Sequence, residues 1–240
     1  MTSPLAPSVR LAWWGTSWLQ GHVVSDQMVD GVVADDAVHL VGGVDGAEPL
    51  VLGLGRLRSL GATGFGLALP VAGDPLGLGG PAAFNTAALT AREAVVATGA
   101  ELGLVPVRVG GSVTWTEHPA LRRQVPDVGE ADRALRATLL EAADDLARLD
   151  VARWRPEVAD ELMDLRHPRP VAAPPGVPSR CLELAGRGLQ ALTIVELALD
   201  DDGGAVSASE AERRRAALVG LERAGRRALV AACSPDAWPD

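Results

Sequence analysis

The sequence contains no lysine and no tyrosine, although it has 240 residues and 22 basic side chains. Every basic residue is therefore an arginine. Schiff-base enzymes, pyridoxal-phosphate enzymes and Walker-A nucleotidases need a lysine ammonium group, so these classes are excluded. Acid-base pairs built on tyrosine are excluded in the same way. Arginine stays charged, so it can bind an anion but does not readily shuttle a proton.

Positive charge is also scarce relative to negative charge. The net charge is −9 and the isoelectric point is near 5.0, so the molecule repels phosphate backbones and anionic membranes. We therefore expect no nucleic-acid partner and no membrane partner. The chain lacks the roughly 18 consecutive apolar residues of a membrane span and opens without a basic, apolar secretory signal. These features predict a cytoplasmic protein in which Cys181 and Cys233 are buried thiols.

Motifs that bind metals or carry nucleophiles are missing as well. The histidines show no metal-ligand spacing, and neither cysteine belongs to a zinc or catalytic pattern. No GxSxG sequence is present. The sequence therefore predicts no cofactor and no metal, and it favours a protein that is not an enzyme.

The first half of the chain alternates short apolar runs with helical patterns, which is typical of an α/β fold. We expect a small, mostly parallel sheet with flanking helices. Predicted strands are 8–14, 37–43 and 64–71, with a hairpin of 102–110 and 112–118 joined at Gly110-Gly111. Predicted helices are 49–60 and 81–97, the latter capped by Gly99, and 17–33 also has helical spacing.

The second half has apolar stripes at helical spacing and predicts a helical bundle. The predicted helices are 129–149, 155–166, 179–199 and one that begins at a Ser207/Glu210 capping box, with a proline-rich connector at 167–178. The predicted domains are therefore 1–126 and 127–240, with one continuous domain as the alternative. Residues 54–73 and 185–204 align loosely, so a pseudo-symmetric α/β fold with an internal repeat and a strand at 191–199 is the alternative fold.

The stretch "GDPLGLGGPAAFN" at 73–85 lies between a predicted strand and a predicted helix, where α/β sheets bind ligands. Gly77, Gly79 and Gly80 could let backbone amides approach an anion, and Asn85 could bind a ligand or hold the loop. Turn formation explains more of this segment than ligand binding does, because Asp74 to Gly77 fits a type I turn and Gly80-Pro81 fits a helix start. Phe84 is predicted to be a core anchor.

A second group of candidate residues follows a predicted strand. Glu117, His118, Arg122 and Arg123 lie within eight residues and could combine an acid/base with an anion clamp, although a charged surface loop is the commoner explanation. Trp13, Trp14 and Trp18 form a third group. On a strand, adjacent tryptophans would point to opposite faces, so one of them could meet a partner.

Three segments carry a resemblance to a known family: "LALPVAGDPLGLGGPAAFN", "DVGEADRALRATLLEAADDLARLDVARWRPEVADELMDLR" and "AAPPGVPSRCLEL". On these the chain resembles a family of conserved hypothetical proteins of actinobacteria over most of its length. The scarcity of residues with AT-rich codons agrees with that source. The resemblance implies no activity.

Two functional hypotheses remain. The first is a non-catalytic interaction or regulatory protein that binds a protein partner or a second copy of itself. The second is a protein or enzyme that binds a small anionic ligand at the 73–85 loop, with Asp74, Asn85, His118 and an arginine converging on it. The absence of lysine, metal and nucleophile motifs favours the first.

Overall fold

The computed structural model describes residues 5–43, 46–121, 123–148, 171–200 and 208–238. The chain divides into two compact units. The first unit comprises Met1–Val125 together with Ala172–Ser179 and Val230–Asp240, and the second comprises Pro126–Val171 and Arg180–Leu229. The chain therefore returns twice to its first unit after leaving it.

The first unit contains a mixed sheet, flanking helices and a short 3-10 helix. Its helices are α1 Pro7–Leu19, α2 Ser25–Val33, α3 Leu50–Ser59 and α4 Ala82–Ala91, and the 3-10 helix is Pro235–Ala237. Its strands are β1 Val38–Gly43, β2 Gly46–Pro49, β3 Gly64–Ala68, β4 Ala94–Thr98, β5 Leu102–Val109 and β6 Ser112–Pro119. The predicted strands at 37–43 and 64–71, the helix at 49–60 and the hairpin at Gly110-Gly111 are confirmed.

The strands that the structure describes form one sheet in the order β2-β1-β6-β5-β4-β3. Only the β1–β6 pair in this sheet is parallel, and every other neighbouring pair is antiparallel. The prediction of a mostly parallel sheet is therefore wrong. It relied on the continuous apolar run of β3, but β3 is fully buried because α1 covers one face while Pro235, Arg123 and α4 cover the other, which requires no parallel neighbour.

The predicted strand at 8–14 is also wrong, because these residues belong to α1. A helix normally shows a polar stripe, but α1 is buried on nearly every side, from Pro7 to Trp13 and again from Gly15 to Ser17. A helix buried all round loses its periodic pattern and resembles a buried strand. Pro7 occupies its first turn, and the Glu93 carboxylate accepts the Ser8 N–H over 3.1 Å.

The predicted helix at 81–97 is too long at its C-terminal end. Helix α4 ends at Ala91, and Arg92 adopts a left-handed conformation with φ 62° in the capping position expected for Gly99. The β-branched run that follows forms β4, which pairs antiparallel with β3.

The two faces of the sheet are covered differently. Helices α1 and α3 pack on one face, where a Cβ on Gly15 would lie 2.6 Å from the Phe65 ring and one on Gly53 would lie 2.4 Å from Cβ of Val41. Helix α4 packs on the other face through Phe84, and a Cβ on Gly103 would lie 2.4 Å from its ring. Phe84 is fully buried, as predicted, in a cluster with small residues of β3, β4 and β5.

The second unit is helical in the residues described. It holds α5 Val128–Arg148, α6 Ser179–Asp200 and α7 Ala208–Ala232. The first residue of α6, Ser179, and the end of α7 from Val230 onward belong to the first unit. Residues 191–199 lie in α6, so the strand required by the internal repeat is not formed. The predicted helix at 155–166 and the Ser207 capping box lie outside the described residues.

Small residues set the packing of α6 against α7. A Cβ on Gly188 would lie 3.1 Å from the carbonyl oxygen of Gly225, and a Cβ on Gly225 would lie 3.1 Å from that of Gly188. The two backbones therefore approach each other closely at this pair. Asp132 on α5 is held by Arg187 on α6 at 2.6 Å, and hydrogen bonds from Arg187 and Arg136 outweigh the effect of burial and lower its pKa.

Within the described ranges, no helix combines the length and the apolar character needed to cross a membrane.

Candidate functional site

Two backbone turns shape the loop between β3 and α4. Val71 and Asp74 exchange backbone hydrogen bonds of 3.0 and 2.9 Å, and the Leu78 N–H donates to the Pro75 carbonyl at 3.1 Å. The second turn thus begins one residue later than the predicted turn from Asp74. Gly77 has φ +83°, and a Cβ there would lie 2.7 Å from Cα of Ala68. The loop is therefore packed against the end of β3 at a position that requires glycine.

Asn85 holds this loop to the start of α4. Its Oδ1 accepts the Gly80 N–H at 3.0 Å, and the Gly80 carbonyl accepts the Leu121 N–H at 2.9 Å. Pro81 is the N-cap, and the peptide bond between Gly80 and Pro81 is cis. Helix α4 therefore begins at Ala82, one residue later than predicted. The Gly80 amide, a candidate ligand contact, is thus already bound by the chain itself.

Glu117 and His118 lie on opposite faces of β6. Glu117 lies on the face of the sheet that α3 covers, and it accepts a 2.5 Å hydrogen bond from Arg56 of α3. Arg56 also pairs with Glu48 at 3.0 Å. These carboxylates raise the pKa of Arg56. His118 points to the α4 side, where its Nε2 lies 3.2 Å from Oγ1 of Thr116 and its ring centre lies 6.2 Å from that of Phe84. The structure therefore separates these two candidates.

Arg123 helps to cover the exposed edge of the sheet. At the edge strand β3, Phe65 donates its N–H to Oγ1 of Thr16 at 2.8 Å and accepts the Thr16 hydroxyl at 3.3 Å. Leu67 donates its N–H to the Cys233 carbonyl at 3.2 Å, and its own carbonyl accepts a hydrogen bond from Arg123. Both outward-facing residues of this strand thus have partners for their backbone groups, which prevents edge pairing.

The remaining contacts of Arg123 also lie within the first unit. Nη2 donates to Oγ of Ser234 at 2.8 Å and lies 3.3 Å from Oδ1 of Asp236. A Cβ on Gly66 would overlap this nitrogen, at 1.7 Å. Burial lowers the pKa of Arg123, and Asp236 opposes that shift. Arg123 is therefore bound by its own chain, whereas its neighbour Arg122 lies outside the described residues.

A polar cluster that the sequence analysis did not single out lies at the start of β1. The Asp36 carboxylate contacts Arg10 of α1, Nε2 of His39 at 2.9 Å and Nη1 of Arg108 of β5 at 3.0 Å. Nδ1 of His39 accepts the indole N–H of Trp115 at 3.2 Å. The available signal was the spacing of Asp36 and His39, three residues apart at the start of an apolar strand.

Hydrogen bonding fixes the protonation states in this cluster. Because Nδ1 of His39 accepts a hydrogen bond, the neutral ring carries its proton on Nε2 and donates it to Asp36. Burial lowers the pKa of His39 and outweighs the hydrogen bond to Asp36. Burial would raise the pKa of Asp36, but the hydrogen bonds from His39 and the arginines lower it to about 2. The cluster is thus built around an ionised carboxylate and a neutral imidazole.

The metal-binding residue types, the cysteines and the tryptophans were candidates for a further centre. No group of three or more metal-binding side chains occurs in the part of the chain that the structure describes. Cys181 and Cys233 are buried thiols, as predicted, and burial raises the pKa of Cys181 to about 11. Trp13 is buried, Trp14 packs against Gly31, and Trp18 lies under Arg58 at 5.5 Å.

Part of the α4 side of the sheet is left uncovered by α4. The register of β1, β6 and β5 places six neutral side chains there in adjacent rows. We call these residues the open face: Val38, Leu40, Val107, Val109, Ser112 and Thr114. Val38, Val107 and Val109 are 40%, 44% and 71% exposed. The ionisable neighbours of these valines, His39 and Arg108, project to the opposite side, so the open face carries no ionisable group.

The molecule thus combines a mixed α/β sheet unit with a helical unit. Family models for the N-terminal domain and the C-terminal domain of Rv1486c-like protein match residues 8–131 and 129–230, so the chain belongs to the Rv1486c-like family. The chain is 29% identical to "Uncharacterized protein Rv1486c" of Mycobacterium tuberculosis H37Rv over an alignment of 292 positions, which covers 98% of this chain and 99% of the relative. "Uncharacterized protein MT1533" of strain CDC 1551 matches with the same identity and coverage. No solved structure matches the chain.

Proposed function

We propose that the protein is a non-catalytic interaction protein that binds a second copy of itself through the open face. The observation that carries this proposal is the exposure of Val38, Val107 and Val109 together on adjacent strands. A contiguous apolar patch without charge is typical of a surface that meets another protein.

Charge supports a second copy as the partner. The whole molecule carries a net charge of −9, so two copies repel each other across most surfaces. The open face avoids this repulsion, because its side chains are valine, leucine, serine and threonine. Two such faces can stack about 10 Å apart, as in a sheet sandwich, without bringing like charges together. A two-fold arrangement would use the same rows on both copies.

The geometry of the polar residues agrees with a role in binding rather than in catalysis. Asn85 and Arg123 bind the chain's own backbone, and His39 has hydrogen bonds at both ring nitrogens. A general acid or base must instead reach the proton of a substrate. The buried thiols of Cys181 and Cys233 support a reducing, cytoplasmic location, which we include in the proposal.

A pair of charge substitutions tests the proposal. Val109→Asp places a carboxylate on the open face, and we expect it to convert a dimer to a monomer in light scattering coupled to size-exclusion chromatography. Leu52→Asp is the matched control, because Leu52 is 58% exposed on α3, which packs on the opposite side of the sheet. We expect this control to remain dimeric. Equal behaviour of the two variants would contradict the use of the open face.

A further inference from the structure

We propose that the cluster of Asp36, His39 and Trp115 is an acid-sensitive switch that joins α1 to the sheet and loosens when His39 gains a proton. Three elements meet at this cluster through side chains far apart in sequence. Arg10 reaches Asp36 from α1, Arg108 reaches it from β5, and Trp115 reaches His39 from β6.

The hydrogen bonds of His39 leave no place for a second proton. Its Nδ1 is the acceptor for the indole N–H of Trp115, and indole nitrogen can only donate. A proton on Nδ1 would therefore set two N–H donors against each other over 3.2 Å. His39 is 2% exposed, so water cannot replace the lost partner while the site stays closed.

The charges around His39 also oppose its protonation. The charged groups that the structure sets against the ring are Asp36, Arg10 and Arg108. Asp36 would stabilise an imidazolium, but its carboxylate is already shared between the two arginines. A third cation in this cluster would therefore lack a counter-ion of its own. Opening of the cluster relieves both the donor clash and the excess positive charge.

The pH range in which the switch acts follows from the direction in which the fold shifts the pKa of His39. The folded protein holds the pKa of His39 below its ordinary value of 6.5, so the unfolded or opened state takes up the proton first as the pH falls. The stability that neutral His39 contributes to the fold is therefore complete above pH 6.5. It is lost progressively as the pH falls from 6.5 to the lowered pKa of His39 in the folded state. Asp36 stays ionised through this range because its pKa is about 2.

The test compares thermal unfolding of the full chain near pH 8 and near pH 5.5. We expect the melting temperature of the unmodified protein to fall by about 3 °C or more at the lower pH. His39→Gln cannot take up a proton yet keeps a donor for Asp36, so its melting temperature should be lower near pH 8 but less dependent on pH. His22→Gln, at an exposed histidine, should keep the pH dependence of the unmodified chain.

A second variant covers the case in which His39→Gln does not fold. Trp115→Phe removes the indole donor, so Nδ1 of His39 can be protonated without a donor clash, and the pH dependence should shrink. Hydrogen-exchange protection factors should also fall in residues 38–43 and 112–119 of the unmodified protein at the lower pH. A pH dependence that is unchanged in the His39 or Trp115 variant, or that disappears in His22→Gln, would overturn the proposal.

Discussion

Nη2 of Arg123 donates a 2.8 Å hydrogen bond to Oγ of Ser234, a residue 111 positions further along the chain. Ser234 in turn donates to the carbonyl of Val230 at 2.5 Å. Through this contact the segment after α7 is held at the edge of the sheet, where Leu67 also meets Cys233. The end of the described chain thus completes the fold of the first unit.

Replacement of Arg123 should therefore destabilise the protein strongly. Arg123→Ala leaves the Leu67 carbonyl and Ser234 without their partner in a buried site, and we expect a loss of about 3 kcal/mol in the free energy of unfolding. Arg215→Ala, in an exposed ion pair with Glu212, should cost less than about 0.5 kcal/mol. Urea titration followed by circular dichroism measures both, and equal losses would show that Arg123 does not support the edge.

The role of Asn85 is tested by two substitutions, one of which keeps the hydrogen-bond acceptor and one of which removes it. Asn85→Ala leaves the Gly80 N–H without its acceptor and should cost about 1 kcal/mol. Asn85→Asp keeps an acceptor oxygen at the same place and should retain most of the stability. Chemical denaturation provides the comparison. If both variants lose the same stability, the hydrogen bond to Gly80 is not what Asn85 contributes.

Alanine substitutions at Gly77 and Gly73 distinguish the cost of backbone strain from the cost of steric overlap. Both have positive φ, at +83° and +80°, so alanine at either position should cost about 1 kcal/mol for its conformation. Among the residues that the structure describes, a Cβ on Gly77 would meet backbone atoms of Ala68, whereas one on Gly73 would meet nothing within 4 Å. We therefore expect Gly77→Ala to be the more destabilising by about 2 kcal/mol in thermal unfolding. Similar melting temperatures would mean that the loop is not packed on β3.

Two glycines of α6 give a similar contrast in the second unit. Among the described residues a Cβ on Gly186 would meet Val171, at 3.8 Å, so the gain in helix propensity in Gly186→Ala should stabilise the protein by about 0.5 kcal/mol. Gly188→Ala would press on the backbone of Gly225 and on Ala228, at 3.1 and 3.3 Å, and should instead be destabilising. Helix unfolding monitored by circular dichroism should show opposite signs. A gain in both variants would argue against the close contact of α6 with α7.

The elements that the sequence predicts well are those whose signals are local. Strand β1, helix α3 and the β5–β6 hairpin each have their own apolar pattern and turn residues. Helix α1 could not be recognised because its burial on nearly every side removes the polar stripe that marks a helix. Strand order and direction depend on which elements meet across the sheet, and no local pattern carries that information.

The candidate residues show the same limit. Asn85 was expected either to bind a ligand or to hold the loop, and its contact with Gly80 is local enough to be anticipated. Arg123 was considered only as a surface residue or an anion clamp, because its partners Leu67 and Ser234 are 56 and 111 residues away. The cluster around Asp36 cannot be predicted from the sequence for the same reason, since Arg108 and Trp115 reach it from strands distant in sequence.

The central claim is that the open face binds a second copy of the chain. Sedimentation equilibrium of the unmodified protein over a range of concentrations tests it most directly. The account predicts a reversible equilibrium that reaches twice the mass of 24.8 kDa as the concentration rises. A mass that stays at 24.8 kDa at every concentration would contradict it.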